Sequence, residues 1–310
     1  MMMGVRRIGV AALAAAAMLS ACTTAGSAVR TAPDSTSTSA AGTSPASSSP
    51  DPTTSAPTPP PPPPRKVAKQ TLAKIARRLP AGAISIAVRD EKSGDTFVYG
   101  ARRGMWTASV YKLLVLETLL LERQDTNSWF SSGELDEITR MIEQSDNVAG
   151  YDLFLDAGGS GALAAAAHRL GMRHTVIGQT DPTFTTTSGA DGLALLDSLV
   201  DRGPLNARSQ AFALGLMRSV ESDQRWGVGV LADPGTTFAN KNGWLGIDNS
   251  NGPGEDDDGL WVTNSLGVVR VHGRPLLVAL FSRHNPDLDS GIRLIQRLAR
   301  VAAPAVLPAR

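Results

Sequence analysis

The sequence is short of the groups that several common kinds of protein chemistry require. Cys22 is the single cysteine among 310 residues, which excludes an internal disulfide bond and a cysteine-rich metal site. The net charge is only +1, so the basic face that nucleic-acid binding requires is missing as well. The histidines show no zinc-ligand spacing, and we therefore predict neither a metal nor a cofactor; they are His168, His174, His272 and His284.

The apolar run near the N-terminus is too short to cross a bilayer comfortably. This run, VAALAAAAML at residues 10–19, follows Arg6 and Arg7 and precedes small residues. A charged segment, a short apolar segment and a small-residue cleavage site in this order predict a signal peptide over residues 1–21.

Cys22 stands directly after Leu19-Ser20-Ala21, an order that resembles a bacterial lipobox. The resemblance implies cleavage before Cys22 and a lipid on its sulfur, which would anchor the protein on the extracytoplasmic face of the cell membrane. The alternative is an ordinary secretory signal that leaves a free thiol. Residues 22–66 are mostly Ser, Thr, Ala and Pro, so we expect a disordered spacer without a core.

The folded part is predicted to span residues 67–310, which suits one domain or two interlocked lobes. Hydrophobic periodicity, capping signals and turn signals locate its elements. We predict helices over 67–78, 109–121, a segment opened by a capping box of Ser131 and Glu134, 161–170, 189–200, 207–219 and 292–302, and strands over 84–90, 95–100, 236–246, 259–273 and 274–283. This order indicates an α/β fold of the α+β kind: a five-stranded antiparallel sheet flanked by terminal helices, with a helical second lobe.

Ser109 and Lys112 form the one Ser-x-x-Lys in the chain, at the head of a strongly apolar helix. Residues three apart share one face of a helix, so the hydroxyl and the amine are predicted to touch. An amine held in a dry site loses its proton more easily and can act as a base towards a hydroxyl. The pair indicates a serine nucleophile with a lysine base. The alternative is a serine that only caps its helix.

Two further motifs follow in chain order, Ser-Asp-Asn at residues 145–147 and Lys-Asn-Gly at residues 241–243. The first falls at a predicted helix junction and the second in a predicted strand. S-x-x-K, S-D-N and K-T-G occur together in class A β-lactamases and penicillin-binding proteins. Each motif also has a plainer interpretation, as a helix-to-helix turn and as a hairpin turn.

With the three motifs in this order, the chain resembles the serine β-lactamase and penicillin-binding superfamily, and within it the class A-like lipoproteins of actinobacteria. The resemblance implies a β-lactamase/transpeptidase-like fold, and a β-lactam or a D-alanyl peptide of peptidoglycan as the ligand. It also implies that Ser109 is acylated and that Lys112 accepts the Ser109 proton or adjusts the reactivity of its hydroxyl. Ser145 would donate a proton to the leaving nitrogen.

The resemblance further implies the residues that hold the substrate. Asn147 would bond the substrate amide, and Lys241 would attract a substrate carboxylate. The backbone N–H of Trp244 and that of the nucleophile would form the oxyanion hole. Asn242, before Gly243, stands where the family has threonine or serine, and we expect its amide still to donate to a carboxylate.

The chain departs from the family pattern in two further ways. Its second motif follows the first by only 36 residues, and residues 157–220 contain no glutamate to activate the water that hydrolyses an acyl-enzyme. Asp181, ten residues after Gly171 and directly before Pro182, stands where the family has its glutamate. Asp181 is therefore a candidate general base, with a turn-starting aspartate as the alternative. Loss of a positioned base lowers a rate by about 10²–10⁴, so we expect slow deacylation.

Two functions from different classes remain open. The first is a serine hydrolase of the cell envelope, either a β-lactamase or a D,D-peptidase, that is acylated at Ser109. The second is a catalytically weak or inactive domain that keeps the fold and binds peptidoglycan or a partner protein. The intact motif residues favour the enzyme, whereas the missing glutamate and Asn242 favour the binding domain.

Overall fold

A computed structural model of the chain describes residues 63–200, 202–248 and 258–308. The predicted signal peptide, Cys22 and almost all of the predicted linker lie outside the described residues. Within the described ranges, no helix combines the length and the apolar character that crossing a membrane requires.

The predicted antiparallel sheet is confirmed, with five strands that pair in the order β2-β1-β7-β6-β5. Two further short strands, β3 and β4, pair with each other beside it. The strands are β1 (Ile84–Asp90), β2 (Thr96–Gly100), β3 (Met105–Trp106), β4 (Thr186–Thr187), β5 (Ala239–Gly246), β6 (Trp261–Val271) and β7 (Arg274–Asn285).

Helices cover both faces of the sheet. They are α1 (Pro64–Ala76), α2 (Tyr111–Asp125), α3 (Ser132–Thr139), α4 (Asn147–Asp156), α5 (Gly159–Arg169), α6 (Gly189–Asp197), α7 (Ala207–Arg218) and α8 (Leu288–Ala302). The terminal helices α1 and α8 pack together on one face, and α6 packs on the other face against β1 and β7. The predicted terminal-helix cover and helical lobe are therefore confirmed.

The alternation of side chains along β1 divides the core in two. Ile86 and Val88 point into the cluster shared with α1 and α8, whereas Ala87 lies in the cluster shared with α2 and α6. Successive residues of a strand face opposite sides of a sheet, and both sides are covered here. A sheet covered on both faces favours a continuous apolar run, such as Leu276–Phe281 in β7, where all residues are buried.

The boundaries of two helices differ from the prediction. The first helix begins at Pro64 rather than 67, because proline is well suited to the first turn of a helix. Residues 64–66 therefore belong to α1 and not to the linker. The helix predicted over 109–121 begins as an α-helix only at Tyr111, and Ser109 lies in the preceding 3₁₀ turn, Ala108–Val110. Burial of every residue from Tyr111 to Leu121 confirms that α2 is central.

The predicted capping box opens α3, with reciprocal bonds between Ser131 and Glu134. The helix then widens into a π-helical turn over Arg140–Gln144 and ends at Ser145, whose backbone is left-handed with φ 58°. The next residue, Asp146, caps α4 by accepting a hydrogen bond of 2.8 Å from the Ala149 N–H. The S-D-N motif thus joins two helices through a sharp reversal of the backbone.

Candidate active site

Ser109 lies on a turn that exposes it while its neighbours are buried. From Met105 to Leu121 it is the one residue that is not buried. The residue before it, Ala108, has φ 43°, a conformation that is uncommon outside glycine and is often found at functional sites. The Ser109 side chain makes no capping bond to a backbone N–H, so the alternative of a simple helix cap is wrong.

Lys112 is fully buried and connects the first two motifs. Its Nζ lies 3.2 Å from Ser109 Oγ, 2.8 Å from Asn147 Oδ1, 2.5 Å from the Ser145 carbonyl oxygen and 3.4 Å from Ser145 Oγ. Burial lowers the pKa of Lys112 to about 8, although the negative charge of Asp146 opposes the change. The predicted contact between the hydroxyl and the amine is therefore present.

Lys241 also contacts the hydroxyl of Ser145. Its Nζ donates to Ser145 Oγ at 2.8 Å and to the Asn242 carbonyl oxygen at 3.1 Å. Its side chain is fully buried, and burial together with the nearby charge of Lys112 holds the pKa of Lys241 well below its usual value. The Ser145 hydroxyl thus lies between two amines, and one continuous set of polar contacts joins Ser109, Lys112, Ser145 and Lys241.

The third motif lies in β5, at the edge of the sheet. Every residue of β5 pairs with β6, so the hairpin-turn alternative for residues 241–243 is wrong. A Cβ on Gly243 would stand 2.5 Å from the Thr107 carbonyl oxygen and 3.0 Å from the Ser109 nitrogen. Glycine at this position therefore lets the strand backbone touch the turn that carries Ser109, directly before Trp244.

Asn242 corrects the expectation that its amide donates to a substrate carboxylate. Its Nδ2 donates to the Gln224 carbonyl oxygen at 2.8 Å and to the Trp226 carbonyl oxygen at 3.2 Å. Both amide hydrogens are therefore used inside the protein, and the side chain is buried. The amide holds the segment beside β5 in place instead of presenting a donor to a ligand.

Asp181 lies at the wall of a cleft and is exposed. One carboxylate oxygen accepts hydrogen bonds from Thr183 N at 2.8 Å and Thr183 Oγ1 at 2.7 Å, so Asp181 does begin a turn. Among the described contacts, none joins Asp181 to Ser109. The cleft has a volume of about 400 Å³, and its lining is mostly aromatic, apolar and hydroxyl-bearing: Tyr111, Asn147, Tyr151, Thr180, Asp181, Thr183, Phe184 and Leu245.

The sequence analysis did not identify Asn264 and Gln224, whose hydrogen bonds fix backbone segments around the site. Asn264, in the middle of β6, donates through Nδ2 to the carbonyl oxygens of Trp106 at 2.8 Å and Thr107 at 3.0 Å. The carbonyl oxygen of Gln224 accepts the hydrogen bond from Asn242, and its side chain donates through Nε2 to the Gln144 carbonyl oxygen at 3.0 Å. The signal for Asn264 was a polar residue inside a central strand, whereas Gln224 lies in an irregular segment and gave no signal.

Metal ligands do not gather in the part of the chain that the structure describes. No group of three or more His, Cys, Asp or Glu side chains there has the arrangement of a metal site. The polar groups around Ser109 are instead hydroxyls, amines and an amide, which transfer protons and donate hydrogen bonds.

Comparisons with known proteins agree with this geometry. The sequence model of the β-lactamase enzyme family matches residues 133–306, more than half of the chain. This range includes the second and third motifs. The protein named "Putative lipoprotein LppW" from Mycobacterium tuberculosis is 27% identical over 206 residues, which cover 63% of this chain. The chain spans about 62% of the length of that relative.

Solved structures show the same fold. A β-lactamase from Chitinophaga pinensis is similar with a TM-score of 0.63 and 18% identity, over 76% of this chain and 97% of that one. TLA-1 extended-spectrum β-lactamase is similar with a TM-score of 0.65 and 15% identity, over 76% and 97%. A PBP-A mutant in an acyl-enzyme complex with penicillin G is similar with a TM-score of 0.63 and 21% identity, over 77% and 97%.

Proposed function

This chain belongs to the β-lactamase enzyme family, and from that premise we propose that it is a lipid-anchored serine hydrolase of the cell envelope. Ser109 attacks the carbonyl carbon of a β-lactam or of a D-alanyl peptide and becomes acylated. Deacylation is slow. The observation that carries the proposal is the set of contacts in which Lys112 touches Ser109 Oγ and Ser145 Oγ while Lys241 touches the same Ser145 Oγ.

The contacts support a balanced transfer of protons. As Ser109 Oγ bonds to the carbonyl carbon, its proton moves to the neutral amine of Lys112. The carbon–nitrogen bond of the substrate then breaks, and the leaving nitrogen takes the Ser145 hydroxyl proton. Lys112 returns a proton to Ser145, so both groups end as they began and Ser109 carries the acyl group. The lowered pKa of Lys112, about 8, supplies the free base that the first step needs.

The substrate would be held by groups on both sides of Ser109. Asn147 bonds the substrate amide with its Nδ2 while its Oδ1 remains on Lys112. Lys241, whose buried amine touches Ser145 Oγ, attracts a substrate carboxylate when it takes up the proton that burial and Lys112 disfavour in the free site. The backbone N–H groups of Ser109 and Trp244 bind the developing oxyanion, and the contact of Gly243 with the serine turn supports this pairing.

Slow deacylation rests on Asp181. We assign it the activation of water, in place of the absent glutamate. One of its carboxylate oxygens is already held by Thr183, and its side chain is one methylene shorter than glutamate. Both features weaken it as a base, and a rate loss of about 10²–10⁴ relative to a well-placed base follows.

The lipid anchor and the peptidoglycan ligand rest on other observations. A relative that carries "lipoprotein" in its name supports the anchor at Cys22, with residues 22–63 as the spacer between the membrane and the domain. The PBP-A structure with penicillin G supports a β-lactam as ligand, and β-lactams acylate enzymes whose own substrates are D-alanyl peptides. Replacement of Cys22 by serine should move the protein from the membrane fraction to the soluble fraction.

The decisive experiment is covalent labelling of the full chain in membranes with a fluorescent penicillin. The wild type should give an adduct of one drug mass, and Ser109→Ala should give none. Decay of the adduct over hours indicates a penicillin-binding protein, and decay within seconds a β-lactamase. Absence of an adduct at millimolar drug would overturn the proposal and favour the weak or inactive binding domain.

A further inference from the structure

Gly150 faces the side chain of Lys112 from the neighbouring helix. It lies in α4, and a Cβ there would stand 2.6 Å from Lys112 Cε, 3.3 Å from Lys112 Cδ and 2.9 Å from Tyr111 Oη. Separations below 3.0 Å do not occur between relaxed carbon and neighbouring heavy atoms, so a methyl group at this position must displace its neighbours. Glycine is also less favourable than alanine inside a helix, so local helix formation does not explain it.

Lys112 has little freedom to move away from such a methyl group. The whole side chain is buried, and its amine is fixed by the Ser145 carbonyl oxygen at 2.5 Å and Asn147 Oδ1 at 2.8 Å. A displacement of Cε therefore moves Nζ relative to its acceptors, including Ser109 Oγ. Misplacement of a reacting group by about 1 Å lowers a rate by about 10²-fold.

Tyr111 occupies part of the space that the missing Cβ leaves. Its ring is buried, and burial together with the negative charge of Asp181 raises the pKa of Tyr111, so the phenol stays neutral. Its hydroxyl lies 2.9 Å from the place that a Cβ on Gly150 would take. A phenylalanine at position 111, which lacks the hydroxyl, would leave more room for a methyl group at position 150.

From these contacts we infer that Gly150 is a positioning residue for Lys112, and that Gly150 and Tyr111 form a matched pair which sets the place of the Lys112 amine. This inference rests on the proposed function for its catalytic meaning, but the position of the amine can be measured without any ligand. The charged and titratable groups around Lys112 are Asp146 and Lys241, together with the phenol of Tyr111.

The test compares Gly150→Ala with two matched controls, Gly161→Ala in α5 and Gly215→Ala in α7. Both control glycines are helical, and an added Cβ meets nothing within 4 Å. The first measurement is penicillin acylation, which we expect to slow about 10–100-fold in Gly150→Ala and to stay at the wild-type rate in both controls. The crowded methyl group should also lower the thermal midpoint by a few degrees, so acylation is compared at a temperature at which circular dichroism shows every variant folded.

The second measurement is ligand-free and follows the Lys112 ammonium by NMR of ¹³Cε-labelled lysine. The chain has only six lysines, so the Lys112 signal can be assigned through Lys112→Arg. In Gly150→Ala the pKa of Lys112 should fall below the wild-type value of about 8, because the amine loses acceptors and gains an apolar neighbour. The Gly161→Ala and Gly215→Ala proteins should keep the wild-type titration.

The third measurement asks whether the pair is matched. Adding Gly150→Ala to a Tyr111→Phe background should slow acylation several-fold less than adding it to the wild type, because the phenol no longer crowds the methyl group. An unchanged Lys112 titration in Gly150→Ala, or equal losses in the controls, would overturn the inference. If the wild type forms no adduct but the titration shifts as expected, the positioning role stands and the proposed function fails.

Discussion

In the proposed function, a single buried amine sets the pH range in which Ser109 can react. A lysine in water has a pKa near 10.5, whereas burial lowers the pKa of Lys112 to about 8. At pH 7 about a tenth of such a lysine is free base, compared with fewer than about one in a thousand for an exposed one. The fold thereby converts a strongly protonated side chain into a usable proton acceptor.

The first prediction concerns the pH dependence of acylation. Because only the neutral amine accepts the Ser109 proton, the rate of adduct formation at penicillin concentrations far below saturation should rise about tenfold per pH unit below about 8. The profile is measured by quenching the labelling reaction at timed intervals between pH 6 and 10 and determining the adduct by intact mass. Lys112→Arg should lose about 10²–10⁴ in rate, since arginine stays protonated. A flat profile in the wild type would rule out Lys112 as the base.

The second prediction concerns Asn242. Its replacement by threonine removes two buried hydrogen bonds to the carbonyl oxygens of Gln224 and Trp226. We expect the free energy of unfolding to fall by roughly 1–3 kcal/mol, measured by urea titration. Amide hydrogen exchange should also speed up along the segment beside β5. Unchanged stability together with unchanged exchange would show that the amide does not hold this segment.

At the scale of the element, α2 contains a carboxyl group where none would be expected. Glu117 is fully buried, accepts a hydrogen bond from Ser198 Oγ through Oε2, and has no partner at Oε1. Burial raises the pKa of Glu117 well above its usual value, although the bond from Ser198 opposes the change. A charged carboxylate in such a place is strongly disfavoured, so the fold favours the neutral acid of Glu117 over its charged form.

The third prediction follows from this raised pKa. A group whose pKa is higher in the folded state stabilises the fold below its unfolded pKa, near 4.5, and loses that contribution as the pH rises towards the folded pKa. Glu117→Gln should flatten this decline and make the protein more stable than the wild type at the alkaline end of the range. Urea unfolding between pH 4 and 9 measures the difference. Glu122→Gln, at an exposed position of α2, should leave the slope unchanged.

Elements with a strong pattern were predictable, and local deviations within them were not. The strands were predicted because runs rich in apolar and β-branched residues are separated by turn signals. Helix α3 was predicted from the capping box of Ser131 and Glu134. Two such deviations are contacted by distant parts of the chain: Asn264 bonds Trp106 and Thr107 before the late start of α2, and Gln224 bonds the Gln144 carbonyl oxygen in the π-helical turn before Ser145. Such contacts leave no periodic signal in the sequence.

At the scale of the whole molecule, the two ends of the domain share one core. Leu72 of α1 is fully buried in the cluster that contains Ile295 and Leu298 of α8. Residues more than 200 positions apart therefore stabilise the same face of the sheet. The domain depends on α1 although this helix precedes the first strand.

The fourth prediction tests this dependence. Leu72→Ala removes a side chain with no exposed surface and should lower the free energy of unfolding by roughly 2–5 kcal/mol. The matched control is Val67→Ala in the same helix, where the side chain is 42% exposed, and we expect a change below roughly 1 kcal/mol. Thermal and urea unfolding measure both. Equal effects of the two substitutions would show that α1 is not part of the core.

The site was predictable where residue type alone carries the chemistry. Ser109, Lys112, Ser145 and Lys241 come together as the motifs indicate. Asn242 did not behave as expected, because its amide bonds the neighbouring segment and the sequence does not show which partner lies beside a strand. Gly150 was missed for the same reason, since its importance lies in an atom that it lacks.

The two amines beside Ser145 Oγ also link ligand binding to proton uptake. Lys241 titrates low because it is buried and repelled by Lys112, so the free site holds fewer protons than it could. An entering anion favours the charged forms, and its binding must therefore draw protons from solution and weaken as the pH rises. The same anion keeps Lys112 protonated and withholds the base from Ser109. The negative charge that improves the affinity of a ligand thus slows the attack by Ser109. An uncharged ester should therefore react faster, relative to its affinity, than an anionic ester.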